Sequence, residues 1–298
     1  MLGGIVFGFN YLIHRIVGSK GASDYYMRIG DDVMPSLSSN FNDNNKPLWL
    51  NLGYWEKVDT YPKACTELTA LLGTYAQLKT TDRVLDVGFG FGEQDFVFME
   101  KFNVNHITGI NITPIHIEVA NKRLKSRPYK EKIDFIYGSA TDMEFPDNSF
   151  DKVLALESAF HFDTREVFFK EAFRVLKPGG VLATADMIPL PGEKFNTLWK
   201  KRGRREMFIP EENMYDKNIY MEKLRQAGFV NVKAISIADH VYTGMRKYFW
   251  TRALKRKAKM EDIKITVTQE ELKSNKGPKL WGWAFGTSDY VIFTAEKP

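Results

Sequence analysis

Between Arg83 and Met187 the chain keeps changing period. Short apolar runs of strand length (RVLDVG, HITGIN, KIDFIYG, FDKVLALES, VLATADM) alternate with stretches spaced like amphipathic helices, and few residues separate one from the next. Strands that alternate with helices over such short connections pair in parallel, because each crossover is right-handed and lays its helix back on the sheet. The alternation predicts an α/β fold with helices on both faces of a mostly parallel sheet. Local signals agree. Phe96, Phe98, Met99 and Phe102 follow helical spacing in EQDFVFMEKF, and Thr113-Pro114 reads as an N-cap followed by a first-turn proline. Thr164 reads as the cap of TREVFFKEAFRVL, a helix that Pro178-Gly179-Gly180 should stop before VLATADM begins.

After Met187 the rhythm breaks into two insertions, at about 188–216 and 240–288, separated by a helix (DKNIYMEKLRQAGF) and a strand (VNVKAISIAD). Both leave the sheet at strand ends, where open α/β sheets bind ligands, and loops of such length more often form lids than linkers. The expected organisation is an N-terminal helical cover over residues 1–60 and a catalytic domain over 61–298 that carries these insertions. The opening MLGGIVFGFNYLIHRIVGSK lacks a cleavage site and is interrupted by Asn10, His14 and Arg15, so it reads as an amphipathic helix that docks on the body or touches a membrane surface. A single cysteine, Cys65, excludes an internal disulfide and makes a reducing cytoplasm the expected compartment. The net charge of +5 is modest, although bases gather in KKRGRRE and RKYFWTRALKRKAK. These clusters read as solvated helix faces; a bound diphosphate or anionic lipid is the alternative.

RVLDVG runs into glycines at every second position, Gly88, Gly90 and Gly92, with Asp86 two residues ahead. A dinucleotide fingerprint spaces its glycines as G-x-G-x-x-G and aims amides at a pyrophosphate, which the Asp86 carboxylate would repel. A ligand bearing an ammonium and a sulfonium suits that carboxylate, and S-adenosylmethionine is such a ligand.

The segments VLDVGFGFG, ITGINITPIHIEVANKR, FIYGSATDMEFPDNSFDKVLALESAFHF and EAFRVLKPGGVLATAD resemble, in order and spacing, the class I S-adenosylmethionine-dependent methyltransferases over roughly residues 48–298. Within that class LWLNLGYW, ESAFHF and IPEENMYD look most like enzymes that methylate sugar hydroxyls on macrolides and related small lipophilic acceptors; sterol and prenyl C-methyltransferases are more distant cousins. The resemblance implies a Rossmann-like, doubly wound, seven-stranded sheet with an antiparallel last strand. It also implies S-adenosylmethionine as donor, S-adenosylhomocysteine as product and no metal. Carried over by position, Asp86, Gly88, Gly90 and Gly92 hold the methionine part, Asn111 and His116 the ribose, and Ser139 and Ala140 the adenine, with Asp142 nearby. Asn111 stands where most relatives have an acid, and Ser139 where aspartate is frequent.

For a hydroxyl acceptor a base helps, and imidazole titrates in the right range. His161 in ESAFHF is that candidate, with Asp186 at the end of the fifth strand as the acid that orients it and Glu157 as a group that orients the acceptor or lies beneath the sulfonium. Tyr25, Tyr54 and Trp55 in the cover, and Trp199, Tyr242 and Trp250 in an apolar acceptor pocket, are the expected substrate-binding residues. Two alternatives stand beside hydroxyl methylation: carbon methylation of a prenyl diphosphate or other lipid through a carbocation in an aromatic pocket, and non-catalytic binding of S-adenosylmethionine. A nucleic-acid acceptor is not expected, because ESAF stands where base-methylating enzymes carry an NPPY-like string.

Overall fold

Burial sorts the strands into centre and edge. In β1 (Arg83–Val87), β2 (His106–Asn111) and β4 (Phe150–Leu156) almost every residue is buried whichever way its side chain points. By contrast β3 (Ile133–Tyr137) and β6 (Val230–Ser236) are largely open. Strands covered on both faces belong inside a sheet. The observed order is β3-β2-β1-β4-β5-β7-β6, where β5 is Leu176–Pro189 and β7 is Ser288–Glu296. Pairings among the first five strands are parallel, and β7 runs antiparallel to both β5 and β6. This is the doubly wound sheet with an antiparallel last strand that the family resemblance implies. The computed structural model describes residues 46–191, 208–258 and 288–298. The apolar N-terminus with Tyr25, the bases Lys200–Arg205, and Trp199, Trp281 and Trp283 lie outside the described residues.

Among the described residues six helices flank the sheet: α1 (Tyr61–Tyr75), α2 (Glu93–Phe102), α3 (Pro114–Leu124), α4 (Arg165–Val175), α5 (Lys217–Gln226) and α6 (Ala238–Ala258). Alternate strand residues feed opposite faces. Val84 and Ile292 join Leu68 and Leu72 of α1 and Phe98 of α2 on one side. Leu85 and Phe293 join Phe168 and Phe169 of α4 and Leu224 of α5 on the other. Each such side chain contributes about 1.5–3 kcal/mol on burial. Among the described residues no helix is long and apolar enough to cross a membrane.

Three local expectations change. The helix α4 stops at Val175, and Pro178-Gly179-Gly180 already lie within β5, because Gly179 N–H donates to Lys297 O at 2.8 Å and Lys297 N–H to Gly180 O at 2.9 Å. The second insertion opens as the 21-residue helix α6, whose Val241, Tyr242 and Met245 are buried in the core cluster that Tyr248 and Phe249 pack against. Thr113 and Thr164 hold the cap positions of α3 and α4 without a side-chain cap bond, whereas Asp216 caps α5 through the amides of Asn218 and Ile219.

Candidate active site

The strand order reverses between β1 and β4, and a cavity of about 200 Å³ opens there at the carboxyl ends of β1 to β4. Its floor is the turn after β1. Gly88, Gly90 and Gly92 all have left-handed backbones, at φ of +87°, +60° and +83°. A Cβ on Gly88 would lie 2.5 Å from Ser158 Cβ, and one on Gly92 would lie 2.7 Å from the Phe135 ring, so packing alone requires these two glycines. A Cβ on Gly90 would instead approach Leu50, a residue of the facing wall. Gly88 and Gly90 line the cavity; Gly92 does not, and serves as the N-cap of α2.

The facing wall is the strap Leu48–Asn51. It is held from two sides. Leu48 N–H donates to Glu93 at 3.1 Å, and Glu93 forms a buried ion pair with Arg123, which also holds Lys46 O at 2.8 Å. Farther along, Leu52 N–H donates to Glu157 Oε1 at 2.7 Å, as does the Tyr290 hydroxyl at 2.7 Å. Glu157 lines the cavity with a left-handed φ of +50° at the end of β4, and burial pushes its carboxyl up to about 7.

Asp86 is fully buried and is not part of the cavity wall. Gln94, in the first turn of α2, stands between: it lines the cavity while its Nε2 donates to Asp86 Oδ2 at 2.6 Å. Sequence reasoning missed Gln94 by stopping at the glycines. At the end of β2, Asn111 and His116 both line the cavity. Asn111 Oδ1 accepts from Thr113 N–H at 2.9 Å and its Nδ2 meets His116 Nδ1 at 3.4 Å, so His116 is the acceptor there. Burial lowers the His116 pKa to about 3, which keeps the ring neutral. Ser139 and Ala140 complete this end, while Asp142, paired with Ser139 across a tight turn, stays off the wall.

His161 lines the same cavity from the turn after β4, its ring 4.1 Å from that of Phe160. Its Nδ1 lies 3.4 Å from Phe208 O. A carbonyl only accepts, so this contact places the proton on Nδ1 and the lone pair on Nε2. The expected partnership with Asp186 is not what the structure contains. Asp186 Oδ2 accepts from Arg165 Nε at 2.8 Å and from the Tyr220 hydroxyl at 3.4 Å, and it does not line the cavity. An acid this deep needs a full countercharge. Arg165 supplies it from the start of α4, and Arg165 is in turn bonded to Asn213 and Met187 O. Asn213 Nδ2 also donates to Phe160 O at 3.1 Å and Phe162 O at 2.7 Å, so the end of the first insertion fixes the turn that carries His161.

The aromatic expectations shift too. Tyr54 and Trp55 do not reach the cavity; the Trp55 ring packs 5.5 Å from Tyr248, and its backbone N–H donates to His240 O at 2.9 Å. Tyr242 is buried, with its hydroxyl on Asp289 O and Ser288, and Trp250 sits half-buried on α6. Tyr54, Trp55 and Tyr242 serve packing of the core against α6, because α6 is a helix docked on the core rather than a loop around the acceptor.

A glycine turn, an acid behind it, polar side chains at the ends of β2 and β3 and a histidine in the same cavity are the arrangement expected of an S-adenosylmethionine site on a Rossmann-like sheet. A methyltransferase-domain family model matches residues 85–184. The chain is 37% identical over 260 residues to the erythromycin 3''-O-methyltransferase of Saccharopolyspora erythraea, covering 84% of each chain. It is 31% identical over 271 residues to the 27-O-demethylrifamycin SV methyltransferase of Amycolatopsis mediterranei, covering 87% of this chain and 94% of that one. Among solved structures, the 4+2 cyclase SpnF shares the fold with a TM-score of 0.68 and 22% identity over 94% of this chain and 97% of that one. The chain belongs to the S-adenosylmethionine-dependent methyltransferases.

Proposed function

We propose that this enzyme methylates a hydroxyl oxygen of a small, largely apolar acceptor, with His161 as general base. The observation that carries the reading is that His161 lines the same cavity as the glycine turn, with Nδ1 facing a carbonyl and Nε2 left as the basic nitrogen. The names of two relatives, both methyltransferases of natural products and one an O-methyltransferase, support the acceptor class. Apolar walls support it as well: Leu48, Trp49, Leu50 and Phe162 line the cavity beside few charged groups.

The residues present fit the donor. The glycine turn gives backbone against Leu50, and Gln94 brings the Asp86 charge to the wall. Neutral His116 and Asn111 offer partners to hydroxyls. When bound, S-adenosylmethionine supplies a methyl carbon activated by the positive sulfur. His161 Nε2 takes the acceptor's hydroxyl proton as the oxygen forms its bond to carbon and the carbon–sulfur bond breaks, leaving S-adenosylhomocysteine. The strap Leu48–Asn51 excludes water and holds the acceptor atom in line, which is where most of the acceleration of such a displacement arises. Glu157 anchors the end of the strap through Leu52 and ties it to β7 through Tyr290.

Donor labelled in its methyl group, incubated with a panel of sugar-bearing lipophiles, phenols, sterols and prenyl diphosphates, tests the reading by mass spectrometry and NMR of the product. Label on oxygen of a hydroxyl acceptor is expected. Label on carbon, or only on diphosphates, overturns it.

A further inference from the structure

Asp86 has the motif position of the donor-binding acid and yet is sealed from the cavity. Its Oδ2 accepts from Gln94 Nε2 at 2.6 Å, whereas Oδ1 has no hydrogen-bond donor. Beside it on α2 is Asp95, also fully buried, with no donor to either oxygen. Two buried carboxyls side by side do not both ionise readily, and two of the three unsatisfied oxygens are explained if Asp95 keeps a proton and donates it to Asp86. Burial pushes Asp95 well up and, opposed by the bond from Gln94, pushes Asp86 up to about 7. Above about pH 7 the pair then carries one negative charge, and among the described residues Gln94 connects it to the cavity.

That connection fixes the direction of the Gln94 amide. A carboxylate oxygen accepts, so the NH₂ end faces Asp86 and the carbonyl Oε1 points away from it. Gln94 is part of the cavity wall, beside Gly90 and Glu93. Of the other carboxylates of the wall, Glu93 is committed to Arg123 and Leu48 and Glu157 to Leu52 and Tyr290, while Asp163 lines it from the turn that carries His161 and not from the glycine turn. We infer that Gln94 is the residue that meets the donor's α-ammonium, its Oε1 accepting from the ammonium while its Nε2 is held by the Asp86–Asp95 pair. Asp86 and Asp95 are positioning residues: they orient the amide and polarise it without touching the donor. This inference rests on the donor site described above.

Calorimetry on the unliganded protein tests it with three nucleosides. S-Adenosylhomocysteine carries the ammonium and the carboxylate, its decarboxylated analogue carries the ammonium alone, and 5′-methylthioadenosine carries neither. Gln94→Met should weaken the first two by about tenfold or more, the scale of a hydrogen bond to a charged group, and leave 5′-methylthioadenosine unchanged. Asp86→Asn, which keeps the shape and removes the charge, should show the same selectivity. Equal weakening of all three ligands would mean that Gln94 only maintains the fold of the turn, and full affinity in both variants would remove it from the site; either overturns the relay. If the wild-type protein bound none of the three, the donor site itself would fail, and the relay with it.

Discussion

Arg165 Nε donates to Asp186 Oδ2 at 2.8 Å in an ion pair whose two side chains are 1% and 0% exposed. Burial alone would lower the Arg165 pKa, but Asp186 and the hydroxyls of Tyr215 and Tyr220 hold it above its ordinary value. The pair joins the start of α4 to the end of β5, directly behind the turn that carries His161.

Breaking it should be costly. Arg165→Met leaves Asp186 buried and uncompensated, which costs about 3–5 kcal/mol, while Arg165→Met with Asp186→Leu should recover most of that loss. Chemical denaturation of the two variants checks this. Equal stability of the single and double variants would mean that the ion pair has no structural role.

Gly244→Ala should destabilise, against helix propensity. Alanine normally improves a helix interior by roughly 1 kcal/mol over glycine. Here a Cβ on Gly244 would lie 2.2 Å from Trp55 Cβ, so α6 and the segment that carries Trp55 must part. Overpacking of this kind costs about 1–3 kcal/mol, read as a lower Tm.

The buried acid behind the glycine turn predicts a pH signature. The Asp86 carboxyl stands at about 7 when folded, against 3.8 ordinarily. A raised pKa gives stability that is full below the ordinary value and is lost as pH rises through the folded one. Relative to Asp86→Asn, the wild-type protein should therefore lose about 1.4 kcal/mol per pH unit within that window, or roughly 2–3 kcal/mol between pH 5 and 7. Denaturation at both pH values measures the difference; a gap between the two proteins that does not change with pH would contradict the assignment.

Glu157→Ala removes the acceptor for both Leu52 N–H and the Tyr290 hydroxyl. The Leu52 amide should then exchange with solvent hydrogen at least tenfold faster, while amides in the centre of β1 keep their protection. Unchanged exchange at Leu52 would show that the strap is held in other ways.

Much of this architecture was legible because its signals are local. Strand-length apolar runs, turn glycines and the Thr113-Pro114 start are each read within a few residues, and β1 to β5 follow in the expected order. What escaped depends on partners far along the chain. Asp186 at a strand end looks like a catalytic acid until Arg165, 21 residues earlier, is seen to occupy it. Asn213 bonds residues 48 to 53 positions before it, and nothing in IPEENMYD announces that. The helix α6 did carry a signal: Val241, Met245 and Tyr248 recur at helical spacing, but the crowd of bases and rings around them reads as a loop. Gln94 is the nearest miss, two residues beyond the last glycine of the turn.

The most direct test of the central claim is the rate of a single turnover with donor preloaded and a hydroxyl acceptor added, for wild type and His161→Ala. The account predicts a loss of about a hundredfold or more in the variant, the scale of a lost general base, with S-adenosylhomocysteine affinity unchanged. A variant that transfers the methyl group at the wild-type rate would contradict it.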